Sequence, residues 1–145
     1  MIFNLRSDFD KQKFKDYCNK LYSEGCAVEL TKKRLNRTLS QNSYLHLVLG
    51  WFACEYGCSL EEVKVDYYKR ICNKELFERT KVNKHGKTVT YLRSSKDLDT
   101  SEMALSITRF RDWSSAVAGI YLPSANERDF LLYVEQEIER NKEFI

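Results

Sequence analysis

Apolar residues alternate with polar ones in two short segments near the start of the chain. Residues 2–6, Ile-Phe-Asn-Leu-Arg, and residues 26–31, Cys-Ala-Val-Glu-Leu-Thr, show the two-residue period of strands. The sequence between them has the three- and four-residue steps of a helix that begins after Ser7 or Asp8 and ends at Gly25. We therefore expect a β-α-β opening, whose two strands run parallel if they are adjacent.

Two helices with a tight connection are predicted next. Ser40 is a suitable N-cap for the most apolar helix, over residues 41–56, and Gly57 ends that helix. Its predicted core face consists of Leu45, Val48, Leu49, Phe52 and Ala53, with Trp51 to the side. The capping-box pattern Ser-Leu-Glu-Glu at residues 59–62 begins the next helix. The predicted stripe of that helix is Leu60, Val63, Tyr67 and Ile71.

The second half of the chain predicts a hairpin followed by two more helices. Residues 77–82 and 87–92 favour strands around a Gly-containing turn. A helix capped by Thr100 or Ser101 follows, and a capping box at residues 124–127 begins the last one. The inward positions of these helices are Met103, Ile107, Phe110, Trp113, Val117, Phe130, Leu131, Val134 and Ile138. The chain is thus predicted to be one α+β domain, residues 1–145, with four to five helices and about four short strands.

Composition excludes several classes of protein. No apolar run approaches the roughly 18–20 residues that span a bilayer, and the N-terminus lacks the features of a secretory signal. We expect a cytoplasmic protein without membrane partners. The five cysteines contain no C-x-x-C pair, which favours reduced thiols in the core over disulfides or a zinc site.

Charge is distributed unevenly around a formal net charge of +3. Between Lys64 and Lys96, ten basic residues stand against three acidic ones, whereas the last helix is mainly acidic. Cationic side chains near an aromatic ring are typical of a surface that binds single-stranded nucleic acid, where the cations neutralise phosphates and unpaired bases stack on the ring. The hairpin residues of this kind are Lys81, Lys84, Lys87, Tyr91 and Arg93. The alternative is a solvated hairpin whose charges only maintain solubility.

Catalytic chemistry finds little support in the residues. Asp97, Asp99 and Glu102 are the carboxylates that a metal-dependent nuclease would need, but acidic residues at a helix start are explained by the helix dipole. The chain has no Gly-rich phosphate loop, no H-E-x-x-H and no G-x-S-x-G. We therefore expect no catalytic residues, no bound metal and no cofactor.

Residues 36–42, Asn-Arg-Thr-Leu-Ser-Gln-Asn, resemble the N-R-[ST]-L-x-Q-N signature of phage recombination mediators typified by the lambdoid Orf protein, also called NinB. The order of predicted elements and the segment Arg-Ser-Ser-Lys at residues 93–96 are also similar to that family. The resemblance implies a non-enzymatic, dimeric recombination mediator of phage or prophage origin, acting in the bacterial host cytoplasm. Such a protein binds single-stranded DNA, interacts with the host single-strand-binding protein and helps a recombinase to load.

Two features depart from the family's pattern. His46 occupies a position where many relatives carry tryptophan, and the last helix is acidic here although it is more basic in some relatives. The acidic last helix argues against DNA contact by the C-terminus. The basic hairpin offers a different positively charged surface for DNA.

The resemblance adds candidate DNA contacts to those of the hairpin. Arg37, Gln41 and Asn42 lie at a predicted helix N-terminus, where free N–H groups and the dipole favour a phosphate, although they could instead hold the loop by buried hydrogen bonds. The full predicted set is Arg37, Gln41, Asn42, Lys81, Lys84, Lys87, Tyr91, Arg93 and Lys96.

Two further expectations concern assembly. Trp51, Trp113, Phe52 and Phe110 give more large apolar surface than one core of this size buries, which favours the homodimer that the resemblance implies. The other class left open is a protein-interaction module without DNA affinity, which would use the acidic last helix and exposed aromatic residues.

Overall fold

The computed structural model describes residues 1–32 and 40–145, so Asn36, Arg37 and Leu39 of the family-like signature lie outside it. In these two ranges six α-helices accompany one hairpin: α1 (Asp8–Glu24), α2 (Gln41–Tyr56), α3 (Leu60–Glu62), α4 (Lys74–Phe77), β1 (Glu78–Val82), β2 (Thr88–Leu92), α5 (Thr100–Trp113) and α6 (Arg128–Arg140). Two π-helical segments continue α3 and α5, and a 3₁₀ turn precedes α5: π1 (Val63–Cys72), π2 (Ser114–Ala118) and Ser95–Asp97. The α+β class and the antiparallel hairpin are confirmed. No helix in these described ranges is both long and apolar enough to cross a membrane.

Helix α2 lies at the centre of the core and packs on α6, π1 and α5. Every residue of its predicted core face is buried: Leu45, Val48, Leu49, Phe52 and Ala53. The predicted caps are present too, since Ser40 Oγ accepts from the Ser43 N–H and Gly57 adopts the left-handed conformation. The contact with α6 is close at Gly50, where a Cβ atom would lie 2.6 Å from Ile138 Cδ1.

The predicted surplus of exposed aromatic surface is wrong. Trp51 is only 7% exposed, because its ring packs edge-on against Phe130 and Tyr133 of α6, with centroids 5.8 Å and 5.6 Å away. Phe52 and Phe110 are fully buried, and half-buried Trp113 stacks on Tyr67 of π1. These rings are partnered within one chain, so they give no argument for a dimer.

The β-α-β opening is also wrong, although its helix is present between the predicted Ser7 cap and Gly25. Residues 2–6 and 26–31 form no strand, and the one sheet in the described part of the chain is the hairpin. A strand needs a neighbour for its backbone hydrogen bonds. The first segment is instead held by polar side chains, since Asp10 Oδ2 accepts from the Asn4 N–H and the Gln136 amide donates to the Ile2 carbonyl.

The two π segments change which side chains face inward. A π-helix bonds i to i+5, so its inward face advances by about one residue per turn relative to an α-helix. Tyr68 is therefore buried, whereas Ile71, predicted to face inward, is 54% exposed. Val117 of π2 is likewise predicted inward and is 70% exposed.

Two helix starts differ from the prediction. Helix α5 is capped by Asp99 rather than by Thr100 or Ser101, because Asp99 and Glu102 form a reciprocal capping box. Helix α6 begins at Arg128, and Glu127 is its N-cap residue. Of the predicted capping box, the hydrogen bond from the Ser124 N–H to the Glu127 carboxylate is present.

Candidate nucleic-acid interface

The register of the hairpin determines which side chains share a face. Arg79 lies opposite Tyr91, and Lys81 opposite Val89. Since paired residues point to the same side and alternate residues along a strand do likewise, these four side chains form one surface, which we call the basic face. Across the diagonal, Lys81 Nζ lies 5.1 Å from the centre of the Tyr91 ring, in a cation–π contact. Tyr91 is 41% exposed beside this contact.

A tight turn places two further lysines at the tip of the hairpin. Asn83 Oδ1 accepts hydrogen bonds from the N–H groups of His85 and Lys87, at 2.9 and 3.0 Å, and the Asn83 N–H donates to the Lys87 carbonyl. Gly86 has φ 76°, a conformation that side chains disfavour. Lys84 and Lys87 are both exposed there.

The lysine charges on this hairpin are not neutralised within the part of the chain that the structure describes. Among residues 1–32 and 40–145, no carboxylate lies within ion-pair distance of Lys81, Lys84 or Lys87, whereas Lys74, Arg70 and Arg109 nearby each have one. Three such cations on one hairpin attract a polyanion, and binding releases the counterions condensed on that polyanion. The three lysines that the sequence predicts as DNA contacts are therefore exposed on the hairpin and available to a ligand.

Arg93 has a different environment from the lysines. Its guanidinium donates to the Leu76 carbonyl and to the Glu102 carboxylate, both at 2.6 Å, and its side chain is 17% exposed. Its own carbonyl accepts from Lys69, a buried lysine that also lies over the Phe77 ring. Burial lowers the pKa of Lys69 from its usual value. These contacts anchor the base of the hairpin and occupy the group that a phosphate would need.

The described end of the signature lies beside the first turn of α5. The Gln41 amide donates to the Thr100 carbonyl at 3.2 Å, and Asn42 is exposed one residue further along α2. Because Arg93 contacts Glu102 in that same turn, the base of the hairpin and the start of α2 approach one short stretch of α5. The fold thus brings two sets of predicted DNA contacts near each other: those at the start of α2 and those at the base of the hairpin.

The second family-like segment forms the 3₁₀ turn before α5. Ser94 Oγ accepts a hydrogen bond from the Lys96 N–H, and Ser95 is buried. Both serines therefore have a role in the local fold. Lys96 is exposed and adds a cation close to the hairpin base.

The acidic residues near α5 are engaged in local structure. Asp99 accepts from the Glu102 N–H, and Glu102 accepts from both the Asp99 N–H and Arg93. Across residues 1–32 and 40–145, no group of three His, Cys, Asp or Glu side chains is arranged to hold a metal ion. The capping box explains Asp99 and Glu102 through helix formation.

The cysteines are free thiols, and Cys54, Cys58 and Cys72 pack partly buried against the core rather than inside it. Burial raises the pKa of Cys72 to about 12 and also raises the pKa values of Cys54 and Cys58. Since the thiolate is the nucleophile and the metal ligand, these groups stay protonated near neutral pH. Cys26 is the exposed member of the set.

Sequence reasoning did not single out Arg79, which the register places directly opposite Tyr91. Its guanidinium donates to the carbonyls of Glu75 and Glu78 at 3.0 and 2.9 Å, and this fixes its position at the base of the hairpin. The sequence carries a signal for this placement. With the turn at residues 83–87, side chains two residues apart on the first strand share a face, so Arg79 lies on the same face as Lys81.

Comparisons with known proteins add no relative to this description. No family model, curated protein or solved structure matches the chain. Functional inference therefore rests on the hairpin geometry and on the signature-like residues of the sequence.

Proposed function

We propose that this chain binds single-stranded DNA without catalysis, as a recombination mediator of phage or prophage origin. It would help a recombinase to load on strands coated by the single-strand-binding protein of the bacterial host, in the host cytoplasm. The observation that carries the proposal is the basic face, where exposed Lys81 and Tyr91 adjoin each other, with Lys84 and Lys87 at the tip. The resemblance at residues 36–42 supplies the biological role.

A single strand suits this surface better than a duplex. A ring such as Tyr91 stacks on bases only where they are unpaired, and the neighbouring ammonium groups then meet the phosphates. Each of the five-residue strands spans about 17 Å at roughly 3.4 Å per residue, which corresponds to a short stretch of extended nucleotides.

A protein-interaction module is the second candidate. It is favoured by half-exposed Tyr121 and Tyr133, whose rings pack on Phe130 beside Trp51. Tyrosine is enriched at protein interfaces relative to the rest of a protein surface. This surface lies on α6 and the loop before it, apart in sequence from the hairpin, so variants can separate the two functions.

The proposal is tested by titrating fluorescently labelled single-stranded and double-stranded oligonucleotides at low and moderate salt, with Mg²⁺ or Mn²⁺ present. We expect salt-dependent binding that favours the single strand and leaves it intact. Absence of binding at low salt, together with capture of a protein partner lost in Tyr133→Ala, would establish the interaction module instead. Cleavage that vanishes in Asp97→Asn or Asp99→Asn would establish a nuclease.

The proposed dimer has its own measurement. Light scattering is expected to give about twice the chain mass of 17.2 kDa. A pair related by two-fold symmetry would bring two basic faces to one strand and double the positive field. A mass of one chain at tens of micromolar would remove the dimer and leave the binding surface as it is.

A further inference from the structure

A groove at the base of the hairpin lies next to the basic face. It has a volume of about 580 Å³ and is lined by the end of π1, by α4 and by the start of β1. The groove is shallow and widely open to solvent, so a flat ligand bound there would keep one face exposed. Arg79 belongs both to this lining and to the basic face, where it lies opposite Tyr91. Glu78 and Thr80 of the lining alternate with Arg79 and point to the other side of the hairpin, so the groove passes around the edge of β1 from the basic face.

The walls of the groove combine apolar surface with carboxylates. Ile71 is 54% exposed there although the sequence predicts it inward, and Cys72 beside it is a protonated thiol. Glu75 and Glu78 contribute hydrogen-bond acceptors, and each also contacts a cation, Arg109 and Lys74 respectively. A carboxylate has about four lone-pair sites, so these ion pairs leave acceptor capacity for a ligand.

The charges that line the groove favour a nucleobase over a phosphate. The charges of the four ionisable side chains in the lining, Lys74, Glu75, Glu78 and Arg79, sum to zero, so the lining itself offers no excess positive charge to a phosphate. A nucleobase is neutral, has apolar faces for Ile71 and carries polar atoms on its edge. Exocyclic amino groups donate to carboxylates, as in the pairing of Glu with cytosine N4. Thymine has no such group.

We propose that the groove formed by Ile71, Cys72, Glu75, Glu78 and Arg79 binds one nucleobase of the single strand and prefers a base with an exocyclic amino group. This inference rests on the proposed single-strand binding and adds a base preference to it. The phosphates of the same strand continue toward Lys81 and the hairpin tip.

The test compares equal-length oligo-dC and oligo-dT, which are both pyrimidine strands. Wild-type protein is expected to bind oligo-dC at least threefold more tightly. The double variant Glu75→Gln, Glu78→Gln is expected to bring this ratio close to one. The matched control, Glu24→Gln with Glu55→Gln, changes the net charge equally at two exposed positions and should leave the ratio unchanged while raising affinity for both strands.

A second pair of variants tests the apolar wall. Ile71→Ala should weaken oligo-dC binding at least threefold, whereas Val117→Ala, which shortens an exposed aliphatic side chain on π2, should not. Equal binding of oligo-dC and oligo-dT by the wild type, or a ratio that survives the double Glu variant, would overturn the base pocket and leave the proposed function standing. Failure of the wild type to bind either strand would overturn both.

Discussion

Arg93 and Glu102 form a 2.6 Å ion pair that ties the end of β2 to the first turn of α5. Glu102 is at the same time the third helical residue of the capping box with Asp99, and Arg93 also donates to the Leu76 carbonyl. One guanidinium thus joins the hairpin, α4 and α5. The direction in which the basic face projects depends on this junction.

Replacing Arg93 should therefore weaken the fold. Arg93→Ala removes two charge-assisted hydrogen bonds from a largely buried group, which corresponds to a loss of about 1.5–3 kcal/mol in the free energy of unfolding. Urea denaturation measures it, with Arg70→Ala as the control, because that arginine loses only an exposed pair with Asp66. Unchanged stability together with a flatter salt dependence of DNA binding would instead make Arg93 a phosphate contact.

The elements that the sequence predicts well are those decided by local interactions. Ser7, Ser40 and Ser59 cap their helices, because a hydroxyl and an N–H three residues apart meet in any such turn. The hairpin follows from alternation around Gly86, which is similarly local. The basic face could be anticipated for the same reason.

The failures involve partners distant in sequence or a change of helical period. Residues 2–6 alternate like a strand, yet their contacts come from Asp10 and from Gln136, which lies 126 residues further along than Asp10. No local pattern specifies that partner. Ile71 follows an α-helical stripe, but π1 shifts the inward face, and this exposes Ile71 beside the groove.

Helix packing explains why a glycine interrupts the most apolar helix. In a free helix Gly50→Ala would be stabilising by about 1 kcal/mol, but here the new Cβ would lie 2.6 Å from Ile138 Cδ1. We expect a net destabilisation of about 1–3 kcal/mol from overpacking, measured by thermal or urea unfolding. In an Ile138→Val background, which lacks that methyl group, the same change should cost less. Equal costs in the two backgrounds would contradict the close approach.

Acid should loosen the attachment of the N-terminal segment to α6. The Asn4 N–H holds the pKa of Asp10 below its ordinary 3.8, burial opposes this, and the Gln136 amide assists. Because the folded-state pKa is the lower one, the carboxylate stabilises the fold fully above that ordinary value, and this contribution is lost as pH falls through the folded value. The stability difference between wild type and Asp10→Asn should therefore shrink below about pH 4.

Gln136→Leu provides a second variant for the Asp10 measurement. It removes one donor to the carboxylate and keeps the Asn4 contact, so its stability loss above pH 4 should also diminish in acid. Stability differences that stay constant from about pH 6 to pH 3 would show that this carboxylate does not link the segment to α6.

Counterion release gives a quantitative test of the three unpaired hairpin lysines. If Lys81, Lys84 and Lys87 each neutralise one phosphate of a single strand, changing all three to alanine should reduce the slope of log K against log salt by about 2, at roughly 0.7 per contact. Weakening should be similar for all sequences. The control replaces Lys15, Lys20 and Lys142, which are also exposed, and produces the same change in net charge. Equal slopes for the two triple variants would make the hairpin only a solvated surface.

Tyr91 should contribute to affinity by stacking rather than by charge. Tyr91→Ala is expected to cost about 1–3 kcal/mol of binding free energy and to leave the salt slope nearly unchanged, because no phosphate contact is lost. Tyr91→Phe keeps the ring and should retain most of the affinity. Tyr22→Ala is the control, since that ring is 90% exposed on α1, away in sequence from the hairpin. If Tyr91→Ala binds as well as Tyr22→Ala, the base does not stack on the hairpin, and the contacts would move to Gln41 and Asn42 at the start of α2 and to Arg37, which precedes them in sequence.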